Sequence, residues 1–485
     1  MNHRMIVAIN CHILRIVALF MLPALGISLF QGEQSSVFGF LAAMALMFLP
    51  SITQLIPKWR PKRRNLNAKD GFVIVAITWV LVSALGALPF VFSGYIPNFI
   101  DAFFETVSGF TTTGASILRD VEALPMGLLY WRSFTHWLGG MGVLVFLLAI
   151  VPMGRDAGYS LYLLRAESPG PQVSKLVPRT KRTAMILYGI YIALTFLQIV
   201  LLLLAGLPLF DAITTAFGTA GTGGFSIHND SLISLSPAVQ IIVTVFMALF
   251  GVNFNVYYLL LMRSFTKKTF NEEFRAYWLI LLVSSLVVAL NILHLYDNFW
   301  VALRHAAFQV SSVMTTTGFA TANFDLWPEL SKTLLVLLML VGASAGSTGG
   351  GVKVVRVLIL LKYARNSIQK ILHPRTVHVV HMDGGVIDRG TIRGVNVFII
   401  CYLFISVVSV LLISIDDFSF ETTVTAMVAC LNNIGPGLGQ AGPIENFADF
   451  SWFSKLVLSA DMLLGRLEIF PLIMACTPSF WRKAT

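Results

Sequence analysis

The stretch GFTTTGAS, residues 109–116, has a near copy far along the chain in VMTTTGFAT, residues 313–321. Each copy follows an apolar segment too short to cross a bilayer and precedes one long enough to do so, the order helix, re-entrant loop, helix. The same placement recurs at TAGTGGFS, residues 219–226, and at NNIGPGLG, residues 432–439, behind the short segments DAITTAFG and TAMVACL. With Gly114, Gly223, Gly318 and Gly435 as reference positions, the unit returns roughly every hundred residues, so the chain reads as four copies of one motif. A single Thr-Thr-Thr-Gly run is explained by a helix end with a Gly cap and hydroxyls bonding back to the backbone. Capping does not explain four re-entrant placements.

Composition sets the solvent for these loops. Apolar residues make up 56% of the chain, charged residues only 12%, and mean hydropathy is +0.78, values of a multi-pass membrane protein. Ten apolar stretches of spanning length lie near 11–30, 37–56, 71–94, 127–152, 184–207, 236–262, 276–295, 330–361, 394–415 and 451–476. The first two are expected to be retained, because no small-residue cleavage pattern separates them. Cys11, Cys401, Cys430 and Cys476 sit in or beside apolar segments, without disulfide or metal spacing. Of the 34 Lys and Arg residues, 28 fall in the segments 1–15, 57–69, 154–182, 263–275, 353–393 and 482–483, while the intervening connections are acidic. Basic loops between spans mark the cytoplasmic side, so both termini are expected there. Topology accounts for the net charge of +10 without nucleic acid.

The fold class expected is an all-α multi-pass membrane protein. Four parallel M1–pore-helix/loop–M2 repeats surround a central pore, and two extra N-terminal spans precede them. The divisions are 1–69 for the extra spans, 70–182 and 183–275 for repeats 1 and 2, 276–392 for repeat 3 and 393–485 for repeat 4. Non-helical backbone inside a bilayer is tolerated only where it is buried or lines a wet cavity. Glycine reaches positive φ without steric penalty, so carbonyls can be turned toward the axis. The short helices would aim their negative C-terminal ends at the same point, which favours a cation.

On these residues the chain resembles the superfamily of K+ transporters that includes the Trk, Ktr and plant HKT proteins, and its two extra spans resemble the bacterial Trk branch. SVMTTTGFAT and GASAGSTGGG in the third repeat carry the resemblance most specifically. It implies a K+ selectivity filter made mainly of backbone carbonyls at Thr111, Thr112, Thr113 and Gly114; Ala220, Gly221, Thr222 and Gly223; Thr315, Thr316, Thr317 and Gly318; and Asn432, Asn433, Ile434 and Gly435. Gly rather than Ser at position 114 matches the K+-preferring form. The fourth loop departs most, since Asn432, Asn433 and Ile434 replace the Thr run and Pro436 follows. The resemblance further implies K+ or Rb+ as the transported ion, no bound organic cofactor, a homodimer in the lipid of a bacterial cytoplasmic (inner) membrane, and a cytosolic nucleotide-binding regulatory subunit of the TrkA type.

The segment GASAGSTGGGVK, residues 342–353, lacks the Gly-Lys pair and preceding strand of a phosphate loop. Gly342, Gly346, Gly349, Gly350 and Gly351 instead predict a break in the helix of the third repeat. Residue counting from the outer ends puts Gly346 and Arg466 at one depth, so the freed carbonyls and the guanidinium are expected to pair as a gate. Asp461 and Glu468 also lie within a span and call for partners or water. Arg132 and His136 are read as snorkelling near a span end, and His373, His378 and His381 as part of a basic surface loop. Two rival classes are weighed. Parallel repeats argue against an inverted-repeat, ion-coupled (H+ or Na+) symporter, and the lack of a nucleophile–base pair argues against an intramembrane enzyme.

Overall fold

The computed structural model describes residues 3–51, 68–140, 142, 180–262, 269–373, 375 and 379–477. The connections 57–69 and 154–182, the second half of the span 127–152, and His378 lie wholly or largely outside the described residues, as do residues 263–268 of the connection 263–275.

Three helices come first: α1 (His3–Phe20), α2 (Leu22–Gln31) and α3 (Gln34–Phe48). Pro23 in the first turn of α2 breaks it from α1 without ending the apolar span His3–Gln31; α3 lies in the second span, Gln34–Ser51. Then one order of elements is followed four times. The first set is α4 (Ala68–Gly86) with α5 (Leu88–Ser93), short α6 (Phe99–Phe110) and α7 (Met126–Gly140). The second is α8 (Thr180–Leu204), short α9 (Leu209–Gly221), and α10 (Pro237–Phe250) with α11 (Phe254–Leu261). The third is α12 (Glu272–Asn291), short α13 (Phe299–Met314), and α14 (Glu329–Val341) resumed as α15 (Val354–Leu372). The fourth is α16 (Arg389–Ile413), short α17 (Phe420–Leu431), and α18 (Trp452–Arg466) with α19 (Phe470–Cys476).

Local chemistry starts these helices where polar side chains can take up unpaired amides. Asn98, Asn298 and Ser419 cap α6, α13 and α17, while Ser236 and Ser451 cap α10 and α18. Packing then closes the bundle. Each inner helix lies against the short helix of the next set: α7 on α9, α10 on α13, α14 on α17, and α18 back on α6. The fourfold repeat around one axis is therefore a property of the packed chain. The outer faces are apolar, as in α16, where Ile400, Phe404 and Leu411 are exposed. In a membrane these faces meet hydrocarbon.

The inner helices depart from expectation. The spans 236–262 and 451–476 read as continuous, yet α10 and α11 meet at 87°, and α18 stops three residues short of α19. At the first break Asn253 accepts a hydrogen bond from the Asn255 amide and starts α11 anew. At the second, Glu468 and Ile469 hold φ of 51° and 72°, unusual for a charged and a β-branched residue. The interruption predicted for the third set alone thus recurs in the second and fourth. A small hairpin is the one piece of β-sheet among the described residues: His381–Met382 pairs with Gly385–Val386 around Asp383-Gly384, both at positive φ, the usual chemistry of a tight hairpin turn. His381 lies in this hairpin.

Candidate functional site: a ring of four loops

At the C-terminus of each short helix the backbone makes the same move. Thr112, Thr222, Thr316 and Asn433 have φ of 57°, 54°, 57° and 56°, and two residues later Gly114, Gly224, Gly318 and Gly435 have φ of 86°, 75°, 86° and 99°. The amides of Thr113, Gly223, Thr317 and Ile434, between these pairs, all return to helix carbonyls five residues back, at 2.8–2.9 Å. A left-handed β-branched residue costs about 1–3 kcal/mol, so three left-handed threonines at one register reflect a constraint beyond ordinary capping.

This register corrects the reading of the second loop. Its equivalent glycine is Gly224, not Gly223, and the loop runs Gly221, Thr222, Gly223, Gly224; Ala220 is the last-turn residue before it. Gly223 corresponds to Thr113. The divergent fourth loop keeps the common geometry. Asn432 Nδ2 donates to Val428 O at 2.9 Å, replacing the hydroxyl bonds of Thr111 to Val107 O and Thr315 to Ser311 O at 2.7 Å. Asn433 Nδ2 reaches across to Thr113 Oγ1 at 3.0 Å.

The loops touch in cyclic order. A β-carbon on Gly114 would lie 2.1 Å from Gly223 O, one on Gly224 2.0 Å from Thr317 O, one on Gly318 2.0 Å from Ile434 O, and one on Gly435 2.7 Å from Thr113 O. Each missing side chain is the space taken by the carbonyl region of the next loop. The same four glycines, with Gly224 and not Gly223 among them, line a cavity of about 110 Å³ shared with Ser116, Ser226 and Pro436.

On the opposite face of the ring lies the segment 342–353. Gly342, Gly346 and Gly351 take φ of 72°, 71° and 77°. Gly350 N donates to Thr316 Oγ1 at 2.7 Å, and Phe254 N to Gly346 O at 3.0 Å. Gly349 and Gly350 pass so near Thr315 O and Asn432 O that a β-carbon would sit 2.8 and 2.4 Å from them. Arg466, at the end of α18, joins this segment to the first set: its Nη1 donates to Thr348 O at 2.9 Å and Thr112 Oγ1 at 3.3 Å, and its Nη2 to Gly140 O at 2.8 Å and to Gly139 O. Of the six residues named as a gate, Gly349, Gly350 and Arg466 touch the loops, Gly342 and Gly351 pack on each other behind them, and Gly346 lies against Asn253 at the break between α10 and α11.

Other charges are placed differently from their sequence reading. Arg132 does not snorkel; it is buried against Glu105, with Nε donating to Oε1 at 2.6 Å. His136 is also buried, stacked on Phe225 with centroids 4.1 Å apart. Glu468, by contrast, has the partners its place in a span calls for, Lys353 at 2.9 Å and Arg356. Glu273 was not singled out by sequence, yet its Oε1 accepts from Ala345 N at 2.6 Å in the glycine-rich segment. The carboxylates in DAFFETVSGF and at the start of α12 were visible signals, since an acid in an apolar stretch demands a partner.

A bundle of membrane-length helices in which one order of elements is followed four times is an all-α multi-pass membrane protein. The chain belongs to the TrkH family, described as cation transport proteins, whose model matches residues 40–483. It is 39% identical over 440 residues to the Trk system potassium uptake protein TrkH of Salmonella typhimurium, covering 88% of this chain and 89% of that one. The TrkH of Halomonas elongata is 35% identical over 498 residues, with both chains fully covered. The crystal structure of the potassium transporter TrkH from Vibrio parahaemolyticus superimposes with a TM-score of 0.86 at 33% identity, over 99% of this chain and 100% of that one.

Proposed function

We propose that this protein takes up K+ across the bacterial cytoplasmic membrane through the axis of the loop ring. The observation that carries the reading is the cyclic closure of four glycine loops, each packed against the next one's backbone carbonyls. Such carbonyls replace the water an ion sheds. The filter comprises Thr111–Gly114, Gly221–Gly224, Thr315–Gly318 and Asn432–Gly435, and the glycine-rich segment with Arg466 forms the gate. The protein works as a homodimer, and a cytosolic nucleotide-binding subunit acts on the basic face; the extra spans and the four repeats divide near 69/70, 182/183, 275/276 and 392/393, positions that fall in or at the end of the first turn of α4, α8, α12 and α16. Purified protein in liposomes tests this reading through current reversal potentials under imposed K+, Na+ and H+ gradients. Reversal that follows the K+ gradient supports uptake through the ring; indifference to K+ overturns it.

Orientation follows the basic segments. Cysteines placed at Asp120, Asp230 and Glu445 are expected to label from outside intact cells, and one at exposed Lys370 on α15 only after permeabilisation. The same inward result is expected at Arg60, Lys175 and Lys267. The reverse pattern would invert the assigned direction of the pore.

One observation favours coupling to protons as a second reading. Asp461 is buried in α18, its Oδ1 accepts from Ser409 Oγ at 2.7 Å, and its Oδ2 has no hydrogen-bond partner among the described residues. If the carboxyl carries a transported proton, a pH gradient alone should move the reversal potential, and Asp461→Asn should remove that response while keeping K+ flux. A reversal potential blind to the pH gradient in the parent protein would exclude this role.

A further inference from the structure

The seam between the first and second loops differs from the other three. Glu105 lies on α6 and Arg132 on α7, both buried. The Glu105 carboxylate holds the first loop just beyond Gly114: Oε2 accepts from Ile117 N at 2.9 Å, and the Ser116 hydroxyl lies 3.0 and 3.1 Å from Oε1 and Oε2. Arg132 holds the second loop just beyond Gly224: Nη1 donates to Ser226 O at 2.7 Å, and the guanidinium carbon sits 3.6 Å above the centre of the Phe225 ring. One helical turn further along α7, His136 also stacks on Phe225 and fills the place where a Gly223 side chain would stand. A single acid–base pair thus fixes two consecutive loops at the residues that follow their glycines.

At the register of Glu105 the other sets carry Thr215, Gln309 and Ala426. The seam between loops 2 and 3 is held by Ala320 N donating to Ser231 Oγ at 3.1 Å and Leu232 N to Ala320 O at 3.0 Å. That between loops 3 and 4 has Gly439 N on Asp325 Oδ1 at 3.2 Å, and that between 4 and 1 has Phe447 N on Ser116 O at 2.8 Å. The Lys455–Asp101 pair also joins α18 to α6, but Asp101 is partly exposed and bonds none of the residues directly after the glycines. Among the described residues, only the first seam has a fully buried ion pair behind the loops.

We propose that Glu105 and Arg132 are positioning residues that set the spacing of the first and second loops and thereby part of the discrimination between K+ and Na+. The proposal rests on the ring acting as the filter. A buried charge that loses its partner is strongly destabilised, so the pair holds its geometry with little freedom, and a ring held at fixed size distinguishes ions that differ in radius. Arginine suits the place because its planar fork serves Glu105 and Ser226 together while lying flat on an aromatic ring, which lysine cannot do.

The test is the K+/Na+ permeability ratio from bi-ionic reversal potentials in liposomes, a quantity independent of how many molecules are active. Glu105→Gln and Arg132→Lys are each expected to lower the ratio by about tenfold, and the double variant to lower it no further than the worse single one, because the two act as a unit. Ser116→Ala, which removes the hydroxyl's contacts to Glu105 and to the Leu118 amide at 3.1 Å but leaves the ion pair itself in place, should lower it by about threefold and gives the reading if Glu105→Gln is not recovered folded. A ratio within about twofold of the parent in Arg132→Lys and Ser116→Ala, with normal K+ flux, overturns the proposal. If Gly114→Ser also leaves the ratio unchanged, it is the filter reading that fails; if Gly114→Ser changes it and these variants do not, only the positioning role is lost.

Discussion

Gly114→Ser should destroy most of the discrimination between K+ and Na+, with a loss of tenfold or more expected in the permeability ratio. The backbone there has φ of 86°, and the new β-carbon would stand 2.1 Å from Gly223 O. The obstructing atom is backbone, so no rotamer change relieves the contact. Either the first loop leaves its left-handed conformation or the second loop's carbonyl moves, and both alter the ring. Gly224→Ser and Gly318→Ser meet Thr317 O and Ile434 O at 2.0 Å and should act alike. Gly435→Ser meets Thr113 O only at 2.7 Å and should be the mildest of the four. Gly223→Ser runs into the His136 ring instead, at 1.9 Å, so its effect should shrink when His136 is replaced by a smaller residue, while that of Gly224→Ser should not. Bi-ionic reversal potentials rank all of these. Unchanged ratios in folded Gly114→Ser, Gly224→Ser and Gly318→Ser would remove the loops from any role in selection.

Much of this ring was legible because its parts are local. A short apolar helix, a Thr-Gly run and a full span lie within one continuous stretch, and repetition separates that pattern from an ordinary helix cap. The register of the second loop was not legible: TAGTGGFS offers two adjacent glycines, and only the left-handed Thr222 decides that Gly224 takes the position of Gly114. The breaks at Gly251–Asn253 and Leu467–Ile469 escaped for a related reason. The first has one glycine and the second none, and tertiary contacts, including the Glu468 pairing with Lys353 and Arg356, hold conformations that local propensity disfavours. The Glu105–Arg132 pair is invisible to periodicity because a loop separates its members. An acid in the short apolar helix α6 was visible; its partner was not.

Arg466→Ala should raise K+ flux measured without any regulatory subunit by tenfold or more, and a deletion within 346–350 should raise it by a similar factor. The geometry makes the two changes equivalent in part. Arg466 donates to Thr348 O in the segment and to Gly139 O and Gly140 O at the end of α7, so it ties the segment across the axis to the first set. Without the guanidinium the segment loses that tie, and the carbonyls at the end of α7 lose their donors. Without the segment, Arg466 keeps Gly139 and Gly140, but nothing remains beneath Thr316 and Asn432 to obstruct the path. Charge adds to sterics: two unit charges about 8 Å apart at an effective dielectric of about 20 repel by about 2 kcal/mol, roughly thirtyfold in occupancy. Arg466→Lys separates the contributions. Lysine keeps the charge but lacks the fork that spans Thr348 and Gly140, so its flux should fall between those of the parent and Arg466→Ala. The Thr112 hydroxyl, 3.3 Å from Nη1, makes one further consequence testable: Arg466→Ala should soften K+/Na+ discrimination slightly, whereas the deletion, which leaves Arg466 beside Thr112, should soften it less. Reduced or unchanged flux in both Arg466→Ala and the deletion, with normal expression and assembly, would mean that the segment is only a packing element and that the ring alone limits conduction.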